Sequence, residues 1–225
     1  MAGILFIISA PSGSGKSTLV NEVRRLVPGL DFSISYTTRK PRGSEEDGRE
    51  YHFASREEFE RMIAADEFLE WAEVFGNYYG TALSALDLAA RHGTDLLLDI
   101  DVQGALQVIG KMPDAVSIFI LPPSPEVLER RLRNRSQAEG VADESVIETR
   151  LSEARIELQM IADYRYALVN DVLDQAASEM RSIILLSRGD ATPDEGDLAA
   201  QCVTGARSAR LESALQSFGI IVGDA

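Results

Sequence analysis

Ala10-Pro-Ser-Gly-Ser-Gly-Lys16-Ser17-Thr18 follows the apolar run Ile4–Ala10 and leads into a stretch of helical period, Ser17–Val27. A strand that turns through glycines into a helix opening on Gly-Lys-Ser is the setting that a phosphate-binding loop requires. Gly13 and Gly15 allow the close approach and positive φ angles that turn successive backbone N–H groups inward onto anionic oxygens. Lys16 can reach the β- and γ-phosphates, Ser17 can offer its hydroxyl to Mg²⁺, and the helix N-terminus adds partial positive charge. Ser12, Gly13, Ser14, Gly15, Lys16, Ser17 and Thr18 are therefore the expected contacts of a nucleoside triphosphate. Ala10 stands where the full motif has glycine, a change that is tolerated if Ala10 only ends the strand.

Outward from this loop, apolar runs alternate with helical-period stretches. Phe32–Tyr36, Asp95–Ile100, Val116–Leu121 and Tyr166–Val169 read as further strands. Helices are expected over Ala85–Arg91 (closed by Gly93), Val102–Ile109, Pro125–Arg133, Glu144–Asp163 and Leu173–Leu186. The strands are continuous apolar runs, as in a parallel sheet covered by helices on both faces. The expected fold class is therefore α/β, a phosphate-loop parallel sheet flanked by helices. Between Thr38 and Thr81 the pattern changes to short strands around one helix whose Phe59, Met62 and Ile63 share a face. This reads as a small mixed α/β lobe inserted at about 37–84. The polar run Arg135–Asp143, RSQAEGVAD, reads as a surface segment inside a mobile lid at about 133–150. After Ser187, RGDATPDEGD reads as a linker, followed by a possible helix with Leu211, Ala214, Leu215 and Phe218 at helical spacing. The chain is thus divided into a catalytic domain over 1–187 and an extension over 188–225.

Composition limits what such a chain can hold. It has 225 residues, a formal net charge of −14 and 45% apolar residues, enough for a sizeable core and too many for a disordered chain. Indiscriminate binding to nucleic acid or to an anionic membrane needs a broadly basic surface, so both are excluded as partners. Anionic ligands must be held at a local site. Cys202 is a lone cysteine, the first residues lack a basic segment before their short apolar run, and no stretch approaches the roughly 18 apolar residues of a membrane span. The cytoplasm is the expected compartment. Oligomeric state is not fixed by the sequence.

A phosphate loop leaves the acceptor open. In LLLDID, Asp99 and Asp101 end a buried strand and, two residues apart, point to the same side. Ligands of parallel sheets bind at such carboxyl ends. In Ser35-Tyr-Thr-Thr-Arg39-Lys-Pro-Arg42, followed by Tyr51, two guanidinium forks held apart by Lys-Pro can converge on one phosphate dianion, with the tyrosine hydroxyl as a further donor.

These segments, with FLEWAEVFGNYYGT at 68–81, LLLDIDVQGA at 96–105 and ALVND at 167–171, resemble the guanylate kinase family over roughly residues 4 to 186. The resemblance implies ATP and GMP as substrates, with dGMP as a second acceptor, Mg²⁺ as cofactor, and a place in purine nucleotide metabolism. It implies that Glu70 takes the guanine N1 and N2 protons, with Asp101 assisting and Ser35 and Thr81 addressing O6. It places Arg39, Arg42, Tyr51 and Tyr79 on the GMP phosphate, Arg135 and Arg150 on the lid over the ATP phosphates, and Asn170 near the adenine. Lys16 and the arginines Arg39, Arg135 and Arg150 would carry the charge stabilisation. Ser17 and Asp99 would attend to the metal. Arg131 matches the family's Arg-Leu pair without a clear role, and Tyr78 is read as a core aromatic. Two other classes compete: a binding module with a dead nucleotide site, and a phosphate-loop ATPase or a kinase for another small acceptor. The intact GSGKS argues against the first, Glu70 with TTRKPR against the second.

Overall fold

The computed structural model describes residues 3–138, 144–206 and 208–220. In chain order these form β1 (Leu5–Ser9), α1 (Lys16–Leu26), β2 (Leu30–Phe32), β3 (Tyr36–Thr37), β4 (His52–Phe53), α2 (Arg56–Ala64), β5 (Phe68–Val74), β6 (Asn77–Ala82), α3 (Ser84–His92) and β7 (Asp95–Asp99). They continue as α4 (Val102–Lys111), β8 (Val116–Leu121), α5 (Pro125–Ala138), α6 (Glu144–Leu158), a 3-10 turn (Gln159–Asp163), β9 (Tyr166–Val169), α7 (Leu173–Arg188), α8 (Pro193–Gln201) and α9 (Ala209–Ser217). The five-stranded sheet has the order β2-β7-β1-β8-β9, and a second sheet has the order β4-β3-β6-β5. The β2·β7 and β8·β9 pairs are parallel. Every residue of β1, β8 and β9 is buried, which is why these strands read as unbroken apolar runs.

The chain divides into two compact units, Met1–Ile7 with Gly29–Ala115 and Ile8–Pro28 with Val116–Ala225. In the first, the small sheet packs Phe59, Met62, Phe68 and Ala82 into their own core, against which Tyr36, Ile63 and Tyr78 lie. Tyr78 stacks on Phe59 with ring centroids 5.3 Å apart. The helix of this lobe starts where Ser55 Oγ accepts the Glu58 N–H at 3.1 Å. In the second unit α7 buries Ala176, Ala177, Met180, Ile183 and Ile184 along one side.

Several boundaries differ from the sequence reading. The strand expected over Phe32–Tyr36 is two short ones. Ser33 N–H still donates to Leu97 O at 3.0 Å, but by Ser35 the carbonyl accepts from His52 N–H at 2.9 Å, so the chain changes sheets between them. α5 does not stop at Arg133 but runs through Ala138, with Arg133 paired to Glu129 one turn back and to Glu144 at the start of α6. Arg135–Ala138 are thus helical, and the rest of the polar run, 139–143, lies outside the described residues. The last turn of the helix expected over Glu144–Asp163 tightens into the 3-10 form. The stretch read as a linker enters α8, whose start is fixed by a reciprocal capping box between Thr192 and Glu195 with Pro193 in the first turn. Of the terminal GIIV, only Gly219 and Ile220 are among the described residues.

Candidate active site

The second unit begins at the end of β1, which leads into the phosphate loop through the buried Ala10. Gly13 and Gly15 have φ of +88° and +82°, the left-handed region. Glycine at position 15 also satisfies a steric demand, since a Cβ there would lie 2.6 Å from Asn170 Nδ2. Ser14 N–H donates to Pro11 O at 3.1 Å, and Gly15 caps α1, whose first residues are Lys16, half-buried, and Ser17 and Thr18, both exposed. The Ser14 hydroxyl is buried with no hydrogen-bond partner among the described residues.

The loop is held from behind. Asn170, 5% exposed, donates Nδ2–H to Ser14 O at 2.8 Å. Arg131 donates to the same carbonyl at 3.1 Å and to Asn170 O at 3.0 Å. Arg131, to which no clear role fell from the sequence, is therefore a structural clamp. Its signal was weak because the partners are main-chain carbonyls 117 and 39 residues away. The side-chain amide of Asn170, expected near the adenine, is engaged with the loop. One helical turn beyond Arg131 on α5 comes Arg135, which is exposed. From α6, Arg150 donates to the buried Ser136 hydroxyl at 3.3 Å, so the two expected lid arginines stand on adjacent helices joined at the neighbour of Arg135.

In the first unit α4 lies along β5 by residues 104, 107 and 111, which share one helix face. Lys111 donates to Leu69 O at 2.6 Å and Gln107 to Trp71 O at 2.7 Å. Between them falls Glu70, 1% exposed, toward Gly104, where a Cβ would come 2.3 Å from Glu70 Oε2. A bulge between Phe68 and Glu70 re-aims the strand, so Phe68 enters the lobe core while Glu70 pairs directly with Thr81. Asp101 caps α4, its Oδ1 accepting from Gln103 N–H at 2.8 Å and Gly104 N–H at 3.1 Å. The register Tyr36↔Gly80, carried one residue on, puts Ser35 opposite Thr81. Ser35, Glu70 and Thr81 are all buried. Burial pushes the Glu70 carboxyl up to about 7, with Thr81 opposing the shift and the Asp101 charge adding to it. Neither Glu70 Oε1 nor Thr81 Oγ1 closes a full hydrogen bond to any described residue.

A second cluster in this unit gathers Arg39, Tyr51 and Tyr79. The Arg39 guanidinium is 5.2 Å from the Tyr51 ring centroid, and the Tyr51 and Tyr79 rings meet edge-on at 5.9 Å. Tyr79 also lies close enough to Arg39 to act on its charge, and Asp99 acts on Tyr51, whose hydroxyl is pushed up chiefly by burial. The fork of Arg39 grips Glu45 at 2.9 and 3.0 Å, and the backbone N–H of Arg42 donates to the same carboxylate at 2.8 Å. Burial alone would raise Glu45, but these donors outweigh it and hold its carboxyl below the ordinary value. Glu45 was missed in the sequence. Its only signal there is an acid three residues after Arg42, where a turn closes by Glu45 N–H to Arg42 O at 3.0 Å.

A model of guanylate kinase, the family, matches residues 3–186. A guanylate kinase of Koribacter versatilis is 60% identical over 188 residues, 84% of this chain and 80% of that protein. One of Desulfitobacterium hafniense is 45% identical, covering 83% of this chain and 91% of its own. The crystal structure of guanylate kinase from Anaplasma phagocytophilum superposes with a TM-score of 0.63 at 31% identity, covering 98% of this chain and 97% of that one. The chain belongs to the guanylate kinase family. Both clusters described above fall within the span matched by the guanylate kinase model, while α8 and α9 fall beyond it. Among the described residues, no helix is long and apolar enough to cross a membrane.

Proposed function

We propose the residue-level reading of the reaction that family membership carries, transfer of the γ-phosphoryl group of ATP to GMP to give ADP and GDP. The observation that carries the acceptor is the buried pair Glu70 and Thr81, whose Oε1 and Oγ1 lack hydrogen-bond partners among the described residues. Buried polar groups are normally paired, and the guanine edge offers matching atoms: two donors for a carboxylate and an acceptor for hydroxyls. Glu70 takes the N1 and N2 protons, Asp101 assists on the same edge, and Ser35 and Thr81 address O6. Adenine presents the reverse pattern and would leave these groups unsatisfied, a strong discrimination. Arg39, Arg42, Tyr51 and Tyr79 hold the acceptor phosphate, with Glu45 orienting the Arg39 fork.

On the donor side the N–H groups of Ser12–Thr18 cradle the β- and γ-phosphates and Lys16 neutralises them. Arg135 and Arg150 bring positive charge to the transferring group and exclude water. The acceptor phosphate is already an anion, so the in-line attack needs no strong general base and no covalent enzyme intermediate. Mg²⁺, when bound, would offset the charge of the phosphates. The Ser17 hydroxyl and the Asp99 carboxylate are hard oxygen donors of the kind that would hold it, directly or through water. Asn170 serves the donor side through the loop carbonyl it holds. The catalytic domain spans 1–187, with a GMP lobe at about 37–84 and a lid at about 133–150. The protein works in the cytoplasm, in purine nucleotide metabolism and GMP recycling, and takes dGMP as a second acceptor.

A coupled assay of ADP release, offering ATP with GMP, dGMP, AMP, UMP or no acceptor, tests this reading. Turnover is expected with GMP and dGMP alone. Equal turnover with AMP would remove the guanine assignment, and turnover without acceptor would make the protein an ATPase.

A further inference from the structure

The segment beyond the span matched by the family model packs at two places on elements that hold the phosphate loop. After α8, the chain runs along the outer edge of β9: Ala167 N–H donates to Cys202 O at 2.8 Å, Thr204 N–H to Arg165 O at 3.1 Å, and Val203 bridges Tyr166 antiparallel. This covers the edge strand of the five-stranded sheet. From α9, Arg210 then divides its fork between the buried Glu179 carboxylate of α7 and the carbonyl of Val169, the last residue of β9. The next residue is Asn170, whose amide holds Ser14 O.

The second contact is apolar. Phe218, the cap of α9, packs against the cluster of Leu128, Leu132 and Ala154, with Leu151 beside it. Methyl groups of Leu128 and Leu132 back directly onto the loop, so that a Cβ on Gly13 would meet them at 3.0 Å. The same cluster joins α5 and α6, which carry Arg135 and Arg150. One short helix therefore braces both supports of the loop, the polar one through Arg210, Val169 and Asn170, and the apolar one through Phe218, Leu128 and Leu132.

We propose that Arg210 and Phe218 are positioning residues for the donor nucleotide, which keep the phosphate loop in its anion-binding form. The proposal rests on the reading that this loop takes ATP. A loop that samples other forms binds more weakly in proportion to the fraction that is competent. Loosening either brace should therefore raise the KM for ATP, while the GMP cluster, built wholly from the first unit's residues, is left as it is. An ion pair needed only for charge would tolerate Arg210→Lys, but an ammonium cannot reproduce a fork that serves a carboxylate and a carbonyl at once.

The test uses the full chain with Arg210→Met, Arg210→Lys, Phe218→Ala and Phe218→Leu, measuring the KM for ATP and for GMP and the calorimetric affinity of a non-hydrolysable ATP analogue. Arg210→Met and Phe218→Ala should each raise the KM for ATP about tenfold and weaken the analogue in parallel, with the KM for GMP within about twofold of the parent. Phe218→Leu should restore most of the loss, and Arg210→Lys should remain impaired. If Arg210→Met fails to fold, Arg210→Lys, which keeps a charge beside Glu179, carries that arm. An ATP KM within twofold of the parent in both arms, or ATP and GMP constants rising together, would overturn the proposal. Lys16→Met separates the two levels: if it leaves the analogue's affinity unchanged, the donor reading itself falls, whereas its expected loss beside unaffected Arg210 and Phe218 variants sinks the positioning role alone.

Discussion

Glu70 is a buried carboxyl whose Oε1 has no hydrogen-bond partner among the described residues, and its burial has a measurable pH signature. Burial raises it from 4.5 to about 7. A group whose affinity for its proton is raised by folding contributes stability that is complete below about pH 4.5 and is lost as pH rises through about 7. At about 1.4 kcal/mol per unit, the ionised form costs on the order of 3 kcal/mol. Glu70→Gln removes that penalty. Its melting temperature should match the parent's near pH 5 and exceed it at pH 8, as followed by calorimetry across the range. On the proposed reading GMP takes the ionised carboxylate, so kcat/KM for GMP in the parent should climb between pH 6 and 8. The GMP phosphate also titrates near pH 6, but it does so equally in Glu70→Gln, whose activity should be low and lack the rise near 7. A parallel pH profile in the two proteins would mean that Glu70 does not read the base.

At the scale of elements, α4 contains two glycines that a helix-propensity argument treats alike and the structure does not. Gly110 has nothing within 4 Å of a built Cβ, whereas at Gly104 the Cβ would strike Glu70 Oε2 at 2.3 Å. Alanine in a helix interior is favoured over glycine by about 1 kcal/mol. Gly110→Ala should therefore stabilise the protein by roughly that amount in urea unfolding and leave kinetics unchanged. Gly104→Ala should displace Glu70 and raise the KM for GMP at least about tenfold with the KM for ATP held, because the carboxylate is no longer where guanine presents its donors. Equal kinetics in the two variants would separate α4 from the acceptor site. This contrast shows what the sequence could and could not carry. The phosphate loop and the buried strands were legible because their signals are local: glycines before a helix and unbroken apolar runs. Glu70, Arg39, Thr81 and Asp101 were singled out through a family resemblance carried by dense motifs, and their roles remain part of the proposal. Gly104, Glu45, Arg131 and the bracing role of α9 were not legible, since each depends on a partner brought in by tertiary packing. The capped start of α8 was legible in principle from Thr192-Pro-Asp-Glu195, but its Gly, Pro and Asp content suggested a linker first.

For the molecule as a whole, the question is how a chain of net charge −14 handles two anionic substrates. Many of its exposed or half-buried cations are already matched by neighbouring acids: Arg25 with Glu22, Arg49 with Glu46 and Glu50, Arg56 with Glu60, Arg61 with Glu67, and Arg133 with Glu129 and Glu144. Such pairs contribute little to stability in water, but they remove the basic stripes that a polyanion would need. An extended polyanion gains affinity by releasing many counterions at once and requires several unopposed cations in a row. A mononucleotide requires only one cradle, where backbone N–H groups and a single lysine act at short range beneath the screening length of about 8–10 Å. The protein should therefore pass through a heparin column at about 50 mM salt without delay, yet be retained on agarose bearing ATP linked through its base, with release by free ATP. Lys16→Met, which leaves the surface pairs intact, should abolish the second behaviour and not alter the first. Retention on heparin by the parent would mean that a basic surface exists despite the pairing, and that net charge is no guide to which anions this protein holds.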